Sequence, residues 1–82
     1  MTEHGFALFE TDIGQCGIAW GARGIIGVQL PEAGEARTRA RLVRRYPHAR
    51  EGPPPAEVRR VIDGIVALLG GQASDQIGRA HV

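Results

Sequence analysis

The stretch Phe6-Ala-Leu-Phe-Glu10-Thr-Asp-Ile-Gly-Gln15-Cys-Gly-Ile-Ala-Trp20-Gly-Ala-Arg-Gly-Ile25-Ile-Gly-Val-Gln-Leu30 decides how this chain is read. Residues 6–11 alternate, with Phe6 and Leu8 on one face and Ala7 and Phe9 on the other. Asp12-Ile-Gly14 interrupts the alternation with turn residues. The next run sets Cys16, Ile18 and Trp20 against the small Gly17 and Ala19. Gly21-Ala-Arg-Gly24 turns the chain again, and Ile26, Val28 and Leu30 line one face of a third run. Connections this short favour antiparallel neighbours, because parallel strands need a long crossover. The expectation is a three-stranded antiparallel sheet. The small residues Gly17, Ala19 and Gly27 predict a close approach by another element or a twisted strand.

Beyond Pro31 the period changes. Over 32–46, Ala33, Ala36, Ala40 and Val43 recur at helical spacing, with Leu42 and Tyr46 on an adjoining stripe. Glu32 and Glu35 at its start and Arg44 and Arg45 at its end suit a helix dipole, and Pro47 stops it. A polar loop rich in proline leads to a second helix from near Pro55. Its expected buried stripe is Val58, Val61, Ile62, Ile65, Leu68 and Leu69, with Gly70-Gly71 as the C-terminal cap. The fold class expected is α+β: a small three-stranded antiparallel sheet followed by two helices.

Eighty-two residues allow one small domain. A chain of this length buries only roughly 60–65% of the surface its unfolded form exposes, so its margin of stability is thin. The net charge of +1 gives no electrostatic reason to expect nucleic acid or an anionic membrane as partner. All ten basic residues are Arg, a usage that fits GC-rich coding. One cysteine excludes an internal disulfide and offers no metal-ligand spacing. The N-terminus has no basic segment followed by an apolar one, and no apolar run approaches the ~20 residues that span a bilayer. The expected compartment is the cytoplasm, with no membrane partner.

Residues 72–82 have no period. The final six, Ile77-Gly-Arg-Ala-His-Val82, match the translation of a common sequencing-library adapter, ATC GGA AGA GCA CAC GTC, which a stop codon follows. The expected organisation is a tail over 1–5, one domain over 6–71, and an unstructured tail over 72–82. Within that tail 77–82 is read as non-native, so the native gene is expected to continue past about Gln76.

Thr11-Asp-Ile-Gly14, Gly17-Ile-Ala-Trp20 and Gly24-Ile-Ile-Gly-Val-Gln-Leu30, in a β-β-β-α-α order, resemble the methylated-DNA–protein-cysteine S-methyltransferases. These proteins repair 6-O-alkylguanine. Ala40-Arg-Leu-Val-Arg-Arg-Tyr-Pro47 and Ile62-Asp-Gly-Ile-Val-Ala-Leu-Leu69 extend the resemblance, which covers about residues 6–71. It is to the family's N-terminal, ribonuclease H-like domain, the family's variable part. The resemblance implies DNA repair by a transferase whose catalysis sits in a second, C-terminal domain. There a flipped base meets a Pro-Cys-His-Arg motif, and a thiolate activated through histidine takes the alkyl group permanently. This chain contains no Pro-Cys-His-Arg and lacks the Tyr-Gly-containing segment that follows the family's domain junction. The implied role of the fragment is a scaffold, inactive alone. Its implied partners are the missing catalytic domain and, for the full-length parent, alkylated double-stranded DNA. A monomer without metal or organic cofactor is implied.

No residue is assigned a catalytic, cofactor-binding or metal-binding role. Cys16 stands beside Ile18 and Trp20 on an apolar face with no histidine near in sequence, and free cysteine is commonly a buried small hydrophobe. Pro47-His-Ala-Arg50 looks like the acceptor motif without its cysteine but falls in the inter-helix loop. His4 and His48 lack partners at metal spacing and are expected to be exposed. Arg37, Arg39, Arg41, Arg44 and Arg45 invite a phosphate-binding reading, against which stands a solvated face paired locally with Glu32 and Glu35. Trp20 and Tyr46 could stack on bases, but each stands on an apolar stripe. Two rival functions remain: a free-standing α+β module that binds a protein or ligand, and a thiol enzyme using Cys16.

Overall fold

The structure, a computed structural model, describes residues 4–70. The tail expected over 72–82, the Gly71 half of the expected cap and residues 1–3 lie outside the described residues. Strands β1 (Gly5–Thr11), β2 (Gly14–Gly21) and β3 (Gly24–Gln29) come first, followed by α1 (Glu35–Arg45), the two-residue β4 (Arg50–Glu51) and α2 (Ala56–Leu69). The strand order is β3-β2-β1-β4. The fold is α+β as expected, but the sheet is four-stranded and mixed, because β4 adds in parallel to β1. Its Arg50 N–H donates to the His4 carbonyl at 3.0 Å, and the Gly52 N–H donates to the Phe6 carbonyl at 3.1 Å. Those bonds satisfy an edge that would otherwise be open.

The two hairpins close in register at Thr11↔Gly14 and Gly21↔Gly24. The reversals fall on Asp12-Ile13 and Ala22-Arg23, and the glycines that follow them, Gly14 and Gly24, carry φ of +121° and +120°, which a residue without a Cβ takes without strain; among the described residues every non-glycine φ is negative. Thr11 fastens the first turn: its hydroxyl donates to the Gly14 carbonyl at 2.7 Å and accepts the Ile13 N–H at 3.2 Å.

The helices cover opposite faces of the sheet. On one side α2 packs Val58 and Ile62 on Ala7, Ile18 and Trp20, flanked by Phe9 and Val66. On the other, Leu42 of α1 packs on Phe6 and Ala19, flanked by Leu8, Tyr46 and Ala49. The face assignments for β1 and β2 therefore hold residue by residue. The close approach expected at the small residues is real as well. A Cβ on Gly17 would overlap Leu42 Cδ1 and lie 3.0 Å from Leu42 Cγ, and one on Gly27 would overlap the Tyr46 hydroxyl.

Two helix faces differ from expectation. In α1 the buried residues are Thr38 and Leu42, while Ala36, Ala40 and Val43 of the expected stripe are exposed. Beneath α1, strand β2 offers only Gly17 and Ala19, so the helix needs a long side chain to reach it, and an alanine stripe would leave a void. Thr38, fully buried, is satisfied by donating to the Gly34 carbonyl at 3.1 Å and accepting the Glu32 N–H at 2.9 Å. The helix ends at Tyr46, whose backbone has left the helical region (φ −129°, ψ 71°), as suits a residue before proline. In α2, Val58 and Ile62 are buried, Ile65 and Leu69 are half-buried, and Val61 and Leu68 are exposed. Its apolar arc is wider than the strip of sheet it covers.

Candidate functional site

The candidate nucleophile weighed in the sequence is Cys16. Cys16 is fully buried on the α2 side of β2, paired across the sheet with Phe9. Among the described residues its sulfur has one hydrogen-bond partner, Thr11 Oγ1 at 3.7 Å. That hydroxyl is committed to the hairpin turn. No histidine or other base hydrogen-bonds to the sulfur among the described residues, as an activated nucleophile would need. The arrangement can fill core volume; it cannot present a nucleophile to a substrate without opening the sheet from α2. Ellman's reagent is therefore expected to react with native Cys16 at least about 100-fold more slowly than in urea, an opening free energy of about 2.7 kcal/mol. Equal rates in the two states would show the thiol to be accessible.

The segment Pro47-His-Ala-Arg50 carries no site either. Pro47 and His48 are exposed, Ala49 packs beneath α1, and Arg50 opens β4. The Ala49 N–H donates to the Tyr46 carbonyl at 3.0 Å, which turns the chain from the helix back to the sheet edge. Trp20 is 8% exposed and lies in the core under α2; Tyr46 is half-buried against Gly27. Neither offers an open ring to a base. Among the described residues no cluster of His, Cys, Asp or Glu could hold a metal ion, and no helix is long and apolar enough to cross a membrane.

The arginines of α1 divide into two groups. Arg39 forks onto Glu51, with Nε to Oε1 at 2.9 Å and Nη2 to Oε2 at 3.0 Å, and also reaches Glu35 Oε2 at 3.1 Å. Arg45 donates to Gln29 Oε1 at 3.2 Å and lies over the Tyr46 ring. Glu32, expected to pair with an arginine, instead accepts from Gln29 Nε2 at 3.1 Å. Arg37, Arg41 and Arg44 have no salt-bridge partner among the described residues, and all three are exposed. With Ala40 and Glu32 they line a surface groove open to solvent.

The fork ties α1 to β4, a pairing that no sequence spacing signals. Arg39 holds the Glu51 carboxyl below the usual carboxylate range and is itself held protonated more firmly. A carboxyl whose folded value is depressed adds stability above its unfolded value near ~4.3 and loses it as pH falls through the folded value. The expected result is a small acid-side loss of stability that Glu51→Gln removes, read from urea midpoints at stepped pH. An unchanged acid limb in that variant would mean that the fork does not couple to folding.

The chain matches no protein-family model, no curated protein and no solved structure.

Proposed function

We propose that this chain is the N-terminal scaffold domain of a 6-O-alkylguanine-DNA alkyltransferase, and that its chemistry belongs to a further domain encoded downstream. The motifs Thr11–Gly14, Gly17–Trp20 and Gly24–Leu30, which carry the likeness to that family, support the identification. The observation that carries the scaffold role is the apolar surface left on one side of the sheet. Ile26, Val28 and Leu30 at the β3 edge are 44%, 41% and 61% exposed, and Leu68 of α2 is 61% exposed. Apolar side chains gathered at an edge strand and a neighbouring helix suit a face that another domain covers.

In the parent, a cysteine of that further domain would attack the alkyl carbon of the flipped guanine. The new S–C bond forms as the C–O6 bond breaks, the guanine is restored with a proton, and the thioether ends the protein's single turnover. This domain would supply packing that holds the acceptor domain's geometry, and Cys16 would take no part.

Reading the genomic DNA beyond codon 76 tests the proposal. An open reading frame that continues into a domain containing Pro-Cys-His-Arg supports it. A frame that closes without such a domain refutes it and leaves the same apolar face to a separate protein partner, the role of a free-standing module.

A further inference from the structure

The unpaired arginines lie on α1, which covers the opposite sheet face from α2. They remain free when the surface of β3 and α2 is covered. Arg37, Arg41 and Arg44 stand at i, i+4 and i+7, one stripe about 10 Å long at ~1.5 Å rise per residue. Exposed Ala36, Ala40 and Val43 lie among them and keep the surface low between the guanidinium groups. The acidic groups of the fold lie elsewhere or are engaged. Among the described residues Glu10 and Asp12 lie at the first hairpin, Glu57 and Asp63 on α2, Glu35 and Glu51 hold Arg39, and Glu32, which shares the groove, accepts from Gln29.

The groove along the stripe is open to solvent and Glu32 shares it, so it does not enclose a small anion. It suits a ligand whose own negative charges repeat along a line. Each of the three guanidinium groups can neutralise one phosphate of a duplex strand, so the stripe meets at most about three. We infer that the outer face of α1 is a sequence-independent docking surface for the phosphate backbone of duplex DNA. The choice of duplex DNA over another polyanion rests on the proposed function. Three contacts make the interaction weak, enough to orient a larger protein on its substrate rather than to hold it there.

Fluorescence anisotropy of the 82-residue chain with a short, unmodified, fluorescein-labelled duplex tests the inference, because neither a lesion nor an acceptor domain enters the measurement. Three phosphates predict a slope of log K against log salt of about −2.7, at −0.9 per contact. Arg37→Gln with Arg41→Gln should weaken binding about tenfold or more and reduce the slope to about −0.9. Arg59→Gln with Arg60→Gln changes net charge equally on exposed positions of α2 and should leave the slope intact. Circular dichroism confirms that both variants fold. Equal weakening by the two pairs, no saturable binding at the lowest salt, or binding of polyglutamate in place of the duplex would each overturn the assignment. None of these results depends on the coding sequence beyond codon 76, so the two proposals fail separately.

Discussion

Gly17→Ala is expected to lower the unfolding free energy by about 2–3 kcal/mol, the upper part of the range for overpacking a tight core. The added methyl would overlap Leu42 Cδ1 and lie 3.0 Å from Cγ and 3.2 Å from Cδ2. Leu42 has nowhere to retreat, being fully buried between the sheet and α1. Relief requires α1 to lift, which would loosen Leu42 from Phe6 and Ala19. A chain of this size has roughly 4–12 kcal/mol in total at 0.05–0.15 kcal/mol per residue, so one methyl removes a large share. Urea unfolding followed by Trp20 fluorescence measures it. Gly27→Ala is the contrast: the clash there is with the end of the half-buried Tyr46 side chain, which can swing aside, and about 1 kcal/mol or less is expected. Equal losses at the two glycines would show that the approach of α1 is not what Gly17 is there to permit.

Leu42→Ala is expected to cost about 2–5 kcal/mol, from lost burial together with the cavity left beneath α1. Its value as a test lies in combination with the first substitution. The methyl introduced by Gly17→Ala would point into the space that Leu42 vacates, so the double variant should be more stable than the sum of the single losses by about 1–2 kcal/mol. Additive losses would mean that the two residues do not touch. The cycle reads the packing of α1 on β2 directly, and it stays informative if the single variants are only marginally folded.

Much of this architecture is legible in residues 6–30, and the reason is the period of a strand. Alternation places Phe6 and Leu8 opposite Ala7 and Phe9, and Cys16, Ile18 and Trp20 opposite Gly17 and Ala19, with no knowledge of what covers either face. Gly17, Ala19 and Gly27 announce a close neighbour but cannot say which. Only the structure supplies Leu42 and Tyr46. The helices are less legible because a hydrophobic period ranks residues by polarity rather than by reach. Ala36 and Ala40 are apolar but too short to meet a glycine floor, whereas polar Thr38 is buried because two backbone groups satisfy it. Arg50-Glu51 has no pattern to detect. It becomes a strand because the outer edge of β1 lacks a partner there.

The site is legible mainly as an exclusion. An apolar strand face and the lack of a nearby base in sequence suffice to place Cys16 in the core, where the structure has it. The division among the arginines is not legible, since Arg39 finds Glu51 through the tertiary fold rather than through helical spacing. That division leaves Arg37, Arg41 and Arg44 as a separate stripe.

In the proposed function Cys16 is structural and the acceptor thiol lies in another domain. The direct measurement is incubation of the chain, alone and extended by its native downstream sequence, with duplex DNA carrying radiolabelled 6-O-methylguanine. No label is expected on the chain alone, and a stoichiometric label is expected on the downstream cysteine of the extended protein. Label recovered on Cys16 would contradict it.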